Sequence, residues 1–130
     1  MIVVDTSLLV DAVTESNSSA TAIRNLLLDG EELVLPSLVL FEWYCGPRTA
    51  DAIAWQEEIF PGEFAIPFGV HEASLTADLY LAVGRARGRK FDLAIAACAI
   101  LRDAELWKLN RSDFQDIPGL RLYIPPTVGV

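Results

Sequence analysis

Short runs of apolar, largely β-branched residues recur along the chain, and stretches with helical spacing separate most of them. A continuous apolar run of this length is typical of a strand that is buried on both faces of a sheet. The runs predict five strands, at Ile2 to Val4, Leu33 to Pro36, Phe64 to Pro67, Glu105 to Leu109 and Leu120 to Ile124.

The segments between these runs predict helices, because apolar residues recur every three to four positions between capping and breaking residues. Thr6 or Ser7 is expected to cap the first helix, which the polar stretch ESNSSA at 15–20 then ends. The predicted helices are Leu8 to Val13, Ser18 or Ser19 to about Asp29, Ser37 to Cys45, Thr49 to Phe60, Gly69 to Arg87, and a last one beginning at Asp92.

Strands that alternate with helices predict an α/β fold of three layers, with helices on both faces of a central, mainly parallel five-stranded sheet. The 130 residues, of which 52% are hydrophobic, can bury a sizeable core. No repeat, low-complexity tract or linker divides the sequence, so residues 1–130 are expected to form a single domain.

The charge and the apolar segments narrow the function classes. A net charge of −8 argues against a general nucleic-acid coating protein, whose affinity comes from Lys and Arg. We expect a cytoplasmic protein without a membrane partner, because no signal peptide is evident and no uncharged run reaches the ~18 residues of a span. Cys45 and Cys98 are expected to be buried, reduced thiols rather than zinc ligands.

Four carboxylates fall where the carboxyl ends of parallel strands meet, which is where ligands bind in such sheets. Asp5 directly follows the first strand, and Glu42 lies within about 10 Å of the end of the second. Asp113 follows the fourth strand, three residues after Asn110, and Asp92 opens the apolar helix that leads into that strand. We therefore expect the four acids to converge.

Each acid also has a simpler interpretation that the sequence leaves open. Asp5 and Asp92 are favourable helix caps, Glu42 is compatible with an exposed helix face, and Asp113 with a solvated turn. Several carboxylates held close together repel one another unless a cation compensates them. Oxygen ligands suit Mg²⁺ or Mn²⁺, which can activate water and neutralise a phosphodiester.

Four sequence segments resemble the PIN-domain ribonucleases, in particular the VapC-like toxins of type II toxin–antitoxin pairs. They are VDTS at 4–7, FE at 41–42, DLAIAACA at 92–99 and LNRSDFQDIPGL at 109–120. The resemblance implies a PIN-like domain and a metal-dependent endoribonuclease that leaves a 3′-hydroxyl and a 5′-phosphate. It also implies that the first strand lies beside the fourth, that a cognate antitoxin inhibits the protein, and that the protein forms a homodimer.

The resemblance assigns roles to the same acids. Asp5, Glu42, Asp92 and Asp113 correspond to the catalytic set, with Asp5, Asp92 and Asp113 as ligands of Mg²⁺ or Mn²⁺ and Glu42 completing the shell or orienting water. Thr6 and Asn110 are supporting residues; Thr6 is expected to hold a metal-bound water or the adjacent backbone. Asp116 lies close enough to Asp113 in sequence to be an alternative fourth acid.

The only basic cluster lies just before Asp92 and includes Arg87, Arg89 and Lys90. It is expected either to contact the RNA backbone or to be a solvated helix end. Trp43, Tyr44 and Trp55 are expected to be core residues or to border the antitoxin groove that the resemblance implies. The alternative function is a catalytically silent PIN-like module that binds RNA or a protein.

Overall fold

A computed structural model describes residues 1–14 and 18–126. The strands of its sheet are β1 (Ile2–Val4), β2 (Leu33–Val34), β3 (Glu105–Trp107) and β4 (Arg121–Leu122). The α-helices are α1 (Thr6–Ala12), α2 (Ser18–Leu28), α3 (Ser37–Cys45), α4 (Ala50–Ile59), α5 (Val70–Ala82) and α6 (Lys90–Leu101). Short 3₁₀ turns lie at Gly62–Phe64 and Ser112–Phe114. Residues 15–17 of the predicted polar break lie outside the described residues.

The sheet is parallel throughout, with the strand order β2-β1-β3-β4. This order confirms the α/β prediction and the expected pairing of the first strand with the strand at Glu105 to Leu109. In the central pair, Val4 lies opposite Trp107. The chain leaves β1 toward one side of the sheet and β3 toward the other, which makes their carboxyl ends a topological switch point.

The predicted number of five strands is wrong for the part of the chain that the structure describes, where the sheet has four. The segment Phe64 to Pro67 forms only an isolated parallel bridge between Ile66 and Pro36. Its hydrogen bonds run from the Ile66 N–H to the Leu35 carbonyl and from the Ser37 N–H to the Ile66 carbonyl, each 2.8 Å. The bridge does not extend because Phe64, on one side, belongs to a 3₁₀ turn and α3 begins at Ser37 on the other.

Helix α6 lies at the centre of the core, in contact with α3, α5, β1 and β3. Its residues 93–99 are all buried. A helix that is apolar on all sides is buried on all sides, and its alanines allow the neighbouring elements to approach closely. Asp92 therefore directly precedes the buried part of this helix.

Several boundaries differ from the predicted ones. Helix α5 ends at Ala82 rather than Arg87, because the exposed segment that follows contains Gly84, a poor helix former without a side chain to pack. Helix α6 begins at Lys90, two residues before Asp92. Cys98 is buried, which raises its thiol pKa to about 11, whereas Cys45 is exposed and its predicted burial is wrong.

Within the described part of the chain, no helix is both long enough and apolar enough to cross a membrane.

The packing around α6 predicts that an added side chain there is costly. Ala96 is fully buried in α6, so Ala96→Leu overfills the core and should lower the free energy of unfolding by about 1–3 kcal/mol. Ala82 is an exposed alanine at the end of α5, and Ala82→Leu should change it by less than about 0.5 kcal/mol. Urea denaturation followed by circular dichroism measures both, and equal effects would contradict the packing described for α6.

Candidate active site

The register between β1 and β3 places two charged side chains at the carboxyl edge of the sheet. Asp5 follows Val4, and Lys108 follows Trp107, its partner on β3. The Asp5 N–H donates to the Trp107 carbonyl at 3.0 Å, which carries the pairing one step beyond the strands. Asp5 and Lys108 are therefore neighbours at the switch point because of the backbone itself.

Asp5 is buried, with only 4% of its surface exposed, and it caps α1. Its Oδ2 accepts hydrogen bonds from the Ser7 N–H at 3.2 Å and from the Ser7 hydroxyl at 2.9 Å. The capping interpretation left open by the sequence is thus the observed one, and the expected caps Thr6 and Ser7 are wrong. Capping fixes the orientation of the carboxylate at the edge of the sheet, which also suits a ligand.

Oδ2 of Asp5 also lies 3.4 Å from Nζ of Lys108, whose side chain is 14% exposed. Lys108 was not predicted, because the signals on this edge were acids rather than their counter-ions. Its position at the carboxyl end of the fourth predicted strand, Glu105 to Leu109, was the available signal. A charge this deeply placed is expected to have a partner, and Asp5 is that partner.

Glu42 projects from α3 toward the start of α1. The Thr6 hydroxyl donates to Oε1 of Glu42 at 2.6 Å, and Glu42 is otherwise exposed. Thr6 therefore contacts Glu42, an acid of the predicted set. This hydrogen bond restrains a solvent-facing carboxylate that would otherwise sample many rotamers.

Asp92 lies in the first turn of α6, while Arg89 occupies the N-cap position without a side-chain cap. Burial raises the pKa of Asp92; the charge of Lys108 opposes this shift, and the carboxylate of Asp5 adds to it. Weaker effects come from Arg89, which lowers the pKa of Asp92, and from Asp113, which raises it. Asp92 thus interacts with acids on both of its sides.

The predicted acids border two adjoining clefts that share Asp92. Asp5, Thr6, Glu42, Asp92 and Lys108 line one cleft of about 510 Å³. The second cleft, of about 370 Å³, is lined by Arg85, Arg89, Asp92, Ser112, Asp113 and Asp116. The structure therefore brings three predicted acids to one cleft and places Asp113 across Asp92 from it.

Asp113 lies exposed in the 3₁₀ turn that follows β3. Its Oδ2 accepts a hydrogen bond from Nδ2 of Asn110 at 2.8 Å, and Oδ1 of Asn110 accepts from the Ser112 hydroxyl at 2.9 Å. Asn110 therefore orients Asp113 directly.

Arg89 forms hydrogen bonds with the segment that carries Asp113 and Asp116. Its guanidinium donates two 2.8 Å hydrogen bonds to Asp116 and one of 2.7 Å to the Asp113 carbonyl oxygen. This contact holds the pKa of Asp116 below its usual range. Asp116 is therefore a partner of Arg89, whereas the Asp113 carboxylate is bonded to Asn110.

The other members of the basic cluster are more open to solvent. Arg87 is exposed, and Nζ of Lys90 lies over the Tyr80 ring, 5.4 Å from its centroid. Of the three residues predicted to contact RNA, Arg87 and Lys90 remain outside the ion pair that holds Arg89.

The donor set of the first cleft fits a hard divalent cation in chemistry and charge. Asp5 and Asp92 offer carboxylate oxygens, the ligands that Mg²⁺ and Mn²⁺ prefer, and Mg²⁺ commonly takes only one or two carboxylates with water. Among residues 1–14 and 18–126, no three acidic, His or Cys side chains are grouped closely enough to hold a metal together. The pair Asp5 and Asp92 is therefore the minimal candidate site.

Comparisons with known proteins agree with this architecture. The PIN domain family profile matches residues 2–120, whereas no curated protein matches the chain. Among solved structures, DNA-bound VapBC from Salmonella typhimurium aligns with a TM-score of 0.76 at 18% identity, covering 94% of this chain and 96% of that one.

Two further structures align equally fully. FitAcB from Neisseria gonorrhoeae gives a TM-score of 0.74 at 16% identity, covering 95% of this chain and 97% of that one. VapBC2 from Rickettsia felis, bound to a promoter DNA fragment, gives a TM-score of 0.73 at 22% identity, covering 95% of this chain and 98% of that one. At these identities the likeness is one of fold.

The raised pKa of Asp92 makes a prediction about stability. An aspartate whose pKa is higher in the folded than in the unfolded state destabilises the fold above the folded-state pKa, and this cost disappears below the unfolded value, about 3.9. Asp92→Asn removes the charge, so without metal it should raise Tm at pH 7.

The advantage of Asp92→Asn over the wild type should shrink as the pH falls toward the unfolded-state pKa. Calorimetry between neutral and acidic pH measures it, with Asp78→Asn, on an exposed part of α5, as the matched control. A Tm difference that does not depend on pH would contradict the electrostatic explanation.

Proposed function

The chain belongs to the PIN domain family, and we propose that it is a metal-dependent endoribonuclease that acts as the toxin of a toxin–antitoxin pair. The observation that carries the proposal is the convergence of Asp5, Glu42 and Asp92 on one cleft at the switch point. Asp113 borders the same region across Asp92. The buried strand β1 holds Asp5 in a fixed position, and the buried helix α6 does the same for Asp92. The positioning of a reactive phosphate requires such fixed side chains.

In this proposal Asp5 and Asp92 would hold Mg²⁺ or Mn²⁺; Asp113, the third predicted ligand, lies across Asp92 in the adjoining cleft and would join them only on metal binding. When bound there, the cation would supply Lewis-acid neutralisation of the phosphodiester and activation of water, and the products would carry a 3′-hydroxyl and a 5′-phosphate. Glu42, restrained by Thr6, orients the attacking water or completes the shell. Asn110 holds Asp113, and the cap on α1 holds Asp5.

The RNA substrate enters from the basic side of the acidic clefts. Arg87 and Lys90 are exposed beside the N-terminus of α6, so they supply the local positive charge that steers a phosphate toward an acidic protein. Arg89 has a different role, because its guanidinium fixes the turn that carries Asp113.

An antitoxin is the proposed protein partner. A toxin–antitoxin complex from Klebsiella pneumoniae shares this fold, with a TM-score of 0.69 at 20% identity, covering 92% of this chain and 95% of that one. A groove of about 520 Å³ runs between α2 and α4, and its apolar lining includes Leu27, Trp55 and Ile59. Trp43, by contrast, is fully buried and Tyr44 is exposed. An amphipathic antitoxin segment suits such a groove, and a basic one suits the net charge of −8.

A homodimer and a cytoplasmic location complete the proposal. The resemblance to VapC-like toxins implies the homodimer, and the cytoplasmic location is the expectation drawn from the sequence. Residues 1–130 as a single PIN-like domain are supported by the family match over residues 2–120.

Asp5→Asn tests the catalytic assignment. Asn is as good a helix cap as Asp, so the variant should fold with α1 intact while it loses an anionic ligand. We expect metal-dependent cleavage to fall by at least about a hundredfold, since a catalytic metal supplies several kcal/mol of transition-state stabilisation. Cleavage of labelled RNA in a Mg²⁺ and Mn²⁺ titration, read on a gel, measures the loss.

Asp78→Asn is the matched control and should cleave at the wild-type rate. RNA cleavage by Asp5→Asn at the wild-type rate would contradict the assignment of Asp5 as a catalytic metal ligand. Wild-type protein that binds RNA tightly but cuts none of it at any metal concentration would instead support the silent binding module.

The basic cluster predicts a change in salt dependence. Arg87→Gln combined with Lys90→Gln removes two exposed charges, so the slope of log K against log salt for single-stranded RNA should flatten by about 1.4. Fluorescence anisotropy with metal omitted measures the slope, and Arg121→Gln on the remote β4 should leave it unchanged. An unaltered slope in the double variant would mean that these side chains do not contact the RNA backbone.

A further inference from the structure

We propose that Lys108 is an internal counter-ion that competes with the divalent cation for Asp5, so that metal binding requires its ammonium to leave the carboxylate. The inference rests on the proposed function, because it concerns the same metal site. It adds a residue whose charge is opposite to that of every predicted ligand.

The contacts of Lys108 show that its ammonium is mostly buried and has two partners, unlike that of a surface lysine. Nζ lies 3.4 Å from Oδ2 of Asp5, and the two side chains are 14% and 6% exposed. Nζ also lies 4.5 Å from the centroid of the buried Phe114 ring, a cation–π contact that strengthens when the cation is desolvated. A carboxylate and an aromatic ring thus hold the same charge.

The sheet fixes this contact. Lys108 and Asp5 follow the paired residues Trp107 and Val4 on the two central strands. The next N–H, that of Leu109, donates to the Ser7 hydroxyl at 3.3 Å, so the chain after β3 remains tied to the chain after β1. The backbone therefore holds residue 108 beside residue 5, and the ammonium can leave the carboxylate only by a movement of the side chain.

The charge of Lys108 also reaches Asp92, the second candidate ligand. Lys108 lines the same cleft as Asp5 and Asp92, so its charge acts on both candidate ligands. One ammonium thereby compensates two acids in the cleft where a metal would do so. Two cations on one carboxylate repel each other, and the interaction is strong where water is partly excluded.

Lysine is suited to leave. Its compact ammonium is carried on a flexible four-carbon stem, and the side chain lines the cleft itself. Metal affinity is then set by exchange of one cation for another rather than by free carboxylates. The ion pair between Lys108 and Asp5 stabilises the metal-free protein. The free energy lost when this pair breaks weakens metal binding to the same degree.

Lys108→Met tests the competition, because methionine has a similar length and no charge. We expect Mn²⁺ to bind about tenfold more tightly, which corresponds to about 1.4 kcal/mol, and the metal-free variant to melt at a lower temperature. Isothermal titration calorimetry and thermal unfolding give the two readouts. Lys108→Arg keeps the positive charge and should not gain this affinity, and Arg121→Met controls for the change in net charge.

Unchanged Mn²⁺ affinity in Lys108→Met would overturn the inference. So would a loss of RNA cleavage with unchanged affinity, which would make Lys108 a contact of the substrate instead. In both cases wild-type cleavage in the presence of metal leaves the proposed function standing. If the wild type neither binds Mn²⁺ nor cleaves RNA, the proposed function and this inference both fail.

A measurement on the wild-type chain keeps the inference testable if Lys108→Met does not fold. The chain has two lysines, Lys90 and Lys108, and each lies near an aromatic ring. Lysine labelled with ¹³C at Cε therefore gives two NMR signals. The signal of Lys108 is identified as the one that is missing in Lys108→Arg. Saturating Mg²⁺ should shift the Lys108 signal as it leaves Phe114 and leave that of Lys90 in place; a fixed Lys108 signal in Mg²⁺-bound protein would overturn the inference.

Discussion

Hydrogen bonding between β1 and β3 is the constraint on which the site depends. Because these central strands are parallel and in register, the residues that follow them, Asp5 and Lys108, emerge side by side at one edge of the sheet. Helix α6 packs on both strands and brings Asp92 to the same edge. A shift of one residue in this register would turn Asp5 to the other face of β1 and separate it from Asp92 and Lys108 together.

The electrostatics of the site follow from this crowding. The four predicted acids lie around two adjoining clefts, which Asp11 and Asp116 also line. Two basic residues contact this group, Lys108 against Asp5 and Arg89 against the turn that carries Asp113. Arginine suits the second place, since its planar group holds Asp116 with two bonds and a backbone carbonyl with a third. The flexible, compact lysine suits a place that another cation can take.

The sequence predicted the architecture well because the strongest signals were local. Apolar runs and capping residues located every helix and the strands of the sheet, and the resemblance supplied the strand order. The segment at Phe64 to Pro67 has the composition of a strand but forms one bridge, because its first residue belongs to a 3₁₀ turn and its partner segment passes directly into α3. Cys45 is exposed although its neighbours in sequence are apolar, since α3 buries only one face.

The site was harder to predict because its contacts join residues distant in sequence. Acids after strands could be identified one by one, but the bond from Thr6 to Glu42 and the pair of Arg89 with Asp116 depend on how helices and turns pack.

Lys108 shows why register matters as much as residue type. Once β1 is paired with β3, the residue opposite Asp5 is determined, and it is a lysine. A carboxylate that caps a helix and pairs with a lysine has a complete structural explanation, and the same carboxylate at a switch point is well placed as a ligand. These two explanations are compatible because a seated ammonium keeps the acids together when no metal is bound, by the same attraction that a divalent cation would exert more strongly.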